Sequence, residues 1–292
     1  MMRQQGFGGF QQGFQQGYNG LPDALRWTLT LSVGVYVVQA FGTWIPVADQ
    51  TLNRWMIDWL GFEAIWPTYV MQPWRFVTYI FLHGSPFHLL FNMLWLFFLG
   101  RAVEESLGPR TFLVLFLGAG LGGALLSVIL GFLAPFTVMI GASGAVYGIM
   151  VVFAMMYPRT PMMMLFLPPI EARYLVAGII GIDLLLLGSA DGVARLAHLG
   201  GALSGYGLFK LQQQGTDLSG WVRSIERLWS EPPSGKKRRR NSRVSDATIL
   251  EEQEDVDVRR EIDALLDKVA KNGYDGLSKE EKRRLFEASQ RK

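Results

Sequence analysis

The chain has 292 residues, of which 50% are hydrophobic, with nine tryptophans, no cysteine and a formal net charge of +3. The missing cysteines exclude a disulfide framework, a zinc-thiolate site and cysteine-protease chemistry. The apolar residues crowd into positions 24 to 212 between polar ends, which points to one membrane-embedded body rather than two soluble domains.

Residues 1–22 begin MMRQQGFGGFQQGFQQGYNG, a Gly/Gln-rich stretch without the basic and apolar regions of a signal peptide, and read as a disordered tail. An apolar body over 23–212 follows, with candidate spans at 24–45, 85–104, 110–133, 142–157, 171–188 and 193–212. Each is bounded by Gly, Pro or charge, and most approach the ~20 residues that a bilayer requires. Six spans put both termini on one side, and the excess of Lys and Arg in the flanks makes that side the cytoplasm. Arg101, Arg110, Arg159, Arg173, Lys210 and the run Lys236-Lys-Arg-Arg-Arg240 then lie inside, against Arg54, Arg75 and Arg195 outside.

The Trp-rich loop between the first two spans predicts short helices partly sunk in the outer leaflet. Residues 213–248 read as a basic Pro/Ser linker, and the KKRRR run as a topology determinant and anionic-lipid contact rather than a nucleic-acid patch. In residues 249–292, Val258, Ile262, Leu265, Leu266 and Val269 fall on one helical stripe. Ser278 and Glu281 have capping-box spacing and predict a second helix ending near Phe286. The predicted class is an all-α polytopic membrane protein, a six-transmembrane-helix bundle with a small helical cytosolic C-terminal module.

Polar residues inside a span are expensive and are therefore functional candidates. On this topology His88 and Asn92 in the second span, Ser143 at the start of the fourth and His198 in the sixth all reach one shallow level below the outer face. Asn92 follows His88 by four residues and Tyr147 follows Ser143 by four, so each pair shares a helix face. Gly144 and Gly148 form one G-x-x-x-G and Gly201 and Gly205 another, a spacing that lets helix backbones approach closely. If those two faces meet, Ser143 and His198 come within hydrogen-bond reach, which is what a serine needs to become a nucleophile.

No acidic residue is placed in this reading to orient the imidazole, so the expectation is a Ser-His dyad, with Tyr147 holding the ring by packing. An oxyanion would find donors in the Ser143 backbone N–H at a helix start, the Asn92 amide and His88. Taken singly, Ser143 is better read as a packing serine, His198 as a histidine satisfied by a carbonyl, and Asn92 as an interhelical hydrogen bond. The hydrolase elbow G-x-S-x-G is not matched, because Ala145 stands at its last position. His83 is expected to be structural, bonded to loop backbone, and Gly100 and Glu104 to serve packing and capping. His83 and His88 are five apart and no H-E-x-x-H occurs, so no metal site is expected.

In combination, Trp74-Arg75, His83-x-x-x-x-His88-Leu-Leu-Phe-Asn92, Gly100-x-x-x-Glu104, GASGAVYG over 141–148 and Ala197-His198-Leu-Gly-Gly201-Ala-Leu-Ser-Gly205 resemble the rhomboid intramembrane serine proteases. The resemblance covers roughly residues 24 to 210. It implies a six-helix bundle with Ser143 as nucleophile at the top of a short fourth helix, His198 as general base, and Tyr147 packed on His198. Around the oxyanion it implies Asn92, His88 and the backbone N–H groups of Ser143 and Ala142. It further implies no cofactor, single-span transmembrane proteins as substrates, a bacterial plasma-membrane location and an active site near the outer face.

Arg195 departs from the family pattern and is expected to bear on the pocket rim. The C-terminal module is similar to a small domain appended to some bacterial rhomboids, with no partner assigned. A non-proteolytic adaptor that binds unstable transmembrane helices is the alternative. A transporter is more distant, since paired intramembrane carboxylates and repeated halves are missing.

Overall fold

The computed structural model describes residues 17–133, 138–163, 168–189, 194–220, 222–224, 226, 265, 267–269 and 277–290. The tail up to residue 16, the KKRRR run, Val258, Ile262 and Leu266 lie outside the described residues. The chain divides into two compact units, Met1–Ser230 and Glu231–Lys292.

In the first unit a helix stands at each predicted span: α1 Asp23–Gly42, α3 Pro86–Leu107, α4 Pro109–Leu130, α5 Ser143–Met156, α6 Ala172–Leu185 and α7 Arg195–Gln213. Among the described residues, α1, α3 and α4 are long and apolar enough to cross a membrane. α5 and α6 have 14 residues each, a length of about 21 Å against an apolar bilayer thickness of ~30 Å. α7 has 19 residues but carries Arg195, His198 and Lys210. The six-span count therefore does not follow from length and hydropathy alone.

The departure from an all-helical chain is small. Two antiparallel ladders of two residues a strand occur, Pro46–Val47 with Gln50–Thr51 and Pro161–Met162 with Ile170–Glu171. α3 is not a uniform helix either, because its middle, Leu96–Gly100, is π-helical.

α7 packs most extensively on α4 and α5, and glycine makes that contact possible. A Cβ on Gly201 would lie 1.9 Å from the Gly144 carbonyl oxygen, and one on Gly205 would lie 2.6 Å from the Gly148 Cα. The two predicted glycine faces do meet, with Gly144 against Gly201 and Gly148 against Gly205. α4 closes on α7 from its other side, where Gly123 leaves no room for a side chain above the Ala197 carbonyl.

The loop before α3 folds into short helices, as its aromatic content suggested. These are α2 Leu52–Leu60, the single turns Thr68–Met71 and Arg75–Thr78, and a 3-10 turn at Tyr79–Phe81. Arg75, 4% exposed, holds this loop together. Its guanidinium donates to the carbonyls of Gly61, at 3.1 Å, and of Asp58, and pairs with Glu63 at 3.4 Å. Thr78 donates to the Leu60 carbonyl at 2.7 Å, and the Trp74 indole to the Trp59 carbonyl at 3.0 Å. The carbonyls left over at the end of α2 thus all find donors from one neighbouring turn.

At the opposite end of the bundle Glu104 accepts the backbone N–H groups of Ala24, at 2.8 Å, and Leu25, at 2.6 Å. It is a cap for α1 supplied from α3, in a buried position where unmet donors are costly. Gly100, one turn earlier, lets Leu25 and Phe112 close over it, each 3.2 Å from where its Cβ would be. Glu104→Gln puts an amide NH2 against one of the two N–H groups. We expect a loss of about 2 kcal/mol, read as a fall of about 4–8 °C in Tm for detergent-solubilised protein. An unchanged Tm would refute the capping role.

In the second unit α8 runs Lys279–Gln290, one turn beyond the predicted end at Phe286. Ser278 and Glu281 form the expected capping box: the Ser278 N–H donates to Glu281 at 2.8 Å and the Glu281 N–H to the Ser278 hydroxyl at 3.3 Å. Lys268, 2.7 Å away, and the Ser278 N–H hold the Glu281 carboxyl down to about 2.

Candidate active site

The segment leading into α5 is pinned before it reaches Ser143. Phe62 and Met139 exchange backbone hydrogen bonds of 2.9 and 2.7 Å, and the Gly141 N–H donates to the Tyr79 carbonyl at 2.9 Å. Gly141 has φ +120°, and a Cβ there would lie 2.6 Å from the His88 ring, so both the backbone and the neighbour require glycine. Ala142, fully buried, is the N-cap of α5, and its carbonyl accepts the first helical bond, from Val146 at 2.9 Å. The N–H groups of Ser143 and the next residues then have no partner within the helix and form its positive end.

Ser143 Oγ lies 2.8 Å from His198 Nε2 on α7. The Tyr147 ring stacks on the imidazole, with centroids 4.3 Å apart and planes 18° from parallel. A cavity of about 620 Å3 opens onto this pair. Phe87, His88, Phe91, Asn92 and Trp95 of α3, Val146, Tyr147 and Met150 of α5 and Ile179 of α6 line it. Phe87 and Phe91, both exposed, form its edge on α3.

Ser143, His198, Tyr147, His88 and Asn92 therefore converge, as their spacing suggested. The Asn92 amide donates to the His88 carbonyl at 2.8 Å, which fixes its position on α3 and leaves its second N–H for the cavity. The Gly84 N–H approaches His88 Nδ1 at 3.4 Å, which favours the proton on Nε2, the nitrogen beside Gly141. His83 stays outside the cavity lining. Its N–H donates to Gln39 at 2.9 Å, its Nδ1 meets the Phe81 carbonyl at 3.3 Å, and its ring stands edge-on to His88 at 5.2 Å. Trp74, Arg75, Gly100 and Glu104 do not line the cavity and have the packing and capping contacts described above.

Two expectations are corrected. An acidic residue does reach the imidazole: Asp183 Oδ2 lies 2.6 Å from His198 Nδ1. It comes from the C-terminal end of α6, 15 residues before His198, so no local motif joins the two. Arg195 does not edge the pocket. It is buried, one turn before His198, with its Nε 3.8 Å from Asp183 Oδ1. The Tyr147 hydroxyl also interacts with the Asp183 carboxylate.

A family model described as Rhomboid domain matches residues 70–212, and one described as a family of unknown function (DUF6576) matches 252–291. Over residues 70–212 the chain carries a rhomboid-family domain, and it is an integral membrane protein. It is 28% identical over 218 residues to RHOMBOID-like protein 12, mitochondrial, of Arabidopsis thaliana, covering 68% of this chain and 62% of that protein. It is 31% identical over 185 residues to Rhomboid protease GlpG of Yersinia pestis (strain Pestoides F), covering 61% of this chain and 60% of the relative. RHOMBOID-like protein 1 of Arabidopsis thaliana is 35% identical over 135 residues, 46% of this chain and 33% of its own length. The chain thus spans about 60% of the length of the first two curated relatives.

Proposed function

We propose that this protein is an intramembrane serine endopeptidase that cleaves transmembrane-segment peptide bonds of single-span membrane proteins. The observation that carries the reading is the 2.8 Å contact between Ser143 Oγ and His198 Nε2 inside a cavity at the start of α5. That Yersinia pestis GlpG is named a rhomboid protease supports it.

His198 Nε2 takes the hydroxyl proton as Ser143 Oγ attacks the scissile carbonyl, giving a tetrahedral adduct whose charge rests on the former carbonyl oxygen. The Ser143 N–H, with Ala142 at the turn before it, the Asn92 amide and His88 surround the place where that oxyanion develops. Collapse of the adduct expels the amine, which takes the proton from His198 and leaves an acyl-serine. A water activated by the same imidazole then releases the acid and regenerates Ser143.

Hydrolysis requires water, so the cavity must be wet, and a helical substrate must unwind locally to free its carbonyl. Entry is assigned to the side between α3 and α6, where exposed Phe87 and Phe91 form the edge. The excess of Lys and Arg in the flanks supports a topology with both termini in the cytoplasm and the cavity near the outer face, and the family resemblance supports a bacterial plasma membrane. The test is labelling with a fluorophosphonate probe together with cleavage of a transmembrane reporter. Ser143→Ala is expected to lose both, and retained reporter cleavage in that variant would refute the reading.

A further inference from the structure

Resting on the proteolytic reading, we propose that Asp183 is a positioning residue for His198, so that the site works as a Ser143-His198-Asp183 relay rather than a dyad. Three helices deliver the parts: α5 brings Ser143, α7 brings His198 and α6 brings Asp183. The two ring nitrogens have different partners, Nε2 facing Ser143 Oγ at 2.8 Å and Nδ1 facing Asp183 Oδ2 at 2.6 Å.

A neutral imidazole has one N–H to give. A carboxylate only accepts, so the proton belongs on Nδ1 and the lone pair of Nε2 is left pointing at the serine hydroxyl. This is the only tautomer that can remove the serine proton. With the proton on Nε2 instead, the ring would donate to Ser143 and could not act as base. When Nε2 takes the proton, the imidazolium stands beside a buried carboxylate and is stabilised by it.

The surroundings fit a carboxylate kept for this purpose. Asp183 and His198 have side chains only 10% and 11% exposed, so solvent does little to screen the pair. A buried carboxylate is costly unless it is partnered. Arg195 approaches one oxygen, Oδ1, at 3.8 Å, while the other, Oδ2, faces His198 Nδ1. His88 is the further titratable group facing this imidazole. Ring orientation is set twice, by Tyr147 across its face and by Asp183 at its edge, but only the carboxylate selects the tautomer. Asp183 lies two residues before the end of α6, so the relay is complete only while α6 is packed on α7.

A purely structural aspartate, tying α6 to α7 through Arg195, predicts something different. Its removal would lower stability without selectively slowing the chemical step. Fluorophosphonate inactivation kinetics on the full chain in detergent separate the two. Asp183→Asn is expected to lower the limiting inactivation rate by about 10^3- to 10^4-fold, with the probe's half-saturating concentration within about threefold of wild type. A limiting rate within about tenfold of wild type would overturn the proposal, provided that Ser143→Ala is unlabelled in the same assay. Labelling of Ser143→Ala would instead overturn the proteolytic reading itself.

A second measurement does not depend on how Asp183→Asn folds. The chain has three histidines, so 15N-histidine labelling resolves each ring. The wild type and Ser143→Ala are both expected to show one strongly deshielded imidazole proton attached to Nδ1 of His198. A His198 ring protonated at Nε2 alone, with no such proton, would overturn the relay.

Discussion

Replacing His198 by alanine is expected to lower the rate of reporter cleavage by about 10^5- to 10^6-fold, and adding Ser143→Ala to lower it no further. The serine hydroxyl is a poor nucleophile at neutral pH, and the base within reach of it is the imidazole 2.8 Å away. Removing either partner removes the same proton transfer, so the two losses must not add. What survives in each variant is the contribution of the α5 N-terminus, Asn92 and His88 to the oxyanion, which needs neither side chain. The measurement is a mutant cycle on the cleavage rate with three variants, His198→Ala, Ser143→Ala and the double. Strictly multiplicative losses would mean that the two residues do not act as one unit. Alanine also removes the ring on which Tyr147 stacks, so each variant's Tm is compared first. A loss of rate far beyond the loss of folded fraction belongs to the chemistry.

The parts of this site that were legible in the sequence are those written in short spacings. Ser143 and Tyr147, His88 and Asn92, and the two G-x-x-x-G pairs each lie within one or two turns of one helix, where spacing determines a shared face. Depth in a membrane then aligned the segments, because spans that run in the same direction put equal offsets at equal levels. On the predicted topology the same argument applies to Asp183, near the end of a span expected to run outward, which is the level expected for Ser143 and His198. An ionisable residue inside a span is a functional candidate by default, and that rule was the available signal. Arg195 was misread for a related reason. It was placed by its nearness to His198 along the chain, whereas its position follows from a carboxylate on a different helix. The span count was also blurred, because α5 and α6, with 14 residues each, are shorter than the apolar thickness of a bilayer.

Gly201→Ala is expected to cost about 1–3 kcal/mol of stability and about 10^2-fold in activity, whereas Gly207→Ala on the same helix should do neither. The added methyl would sit 1.9 Å from the Gly144 carbonyl oxygen, where ordinary contact begins at 3.4 Å, and its partner is backbone that cannot rotate away. α7 must therefore shift by more than 1 Å relative to α5, and Gly144 is the residue next to Ser143. A shift of that size stretches the Ser143 to His198 hydrogen bond beyond useful length, because its two ends ride on the two helices being parted. Gly207 has nothing within 4 Å of its would-be Cβ, so alanine there meets open space and gains helix propensity of up to ~1 kcal/mol. The readouts are Tm and the rate of fluorophosphonate labelling for both variants. Equal behaviour of the two would show that general helix propensity, not the contact at Gly144, governs the response. The expected asymmetry would show that the reactivity of Ser143 depends on the closeness of two glycines, because no side chain other than hydrogen lets the base come within reach.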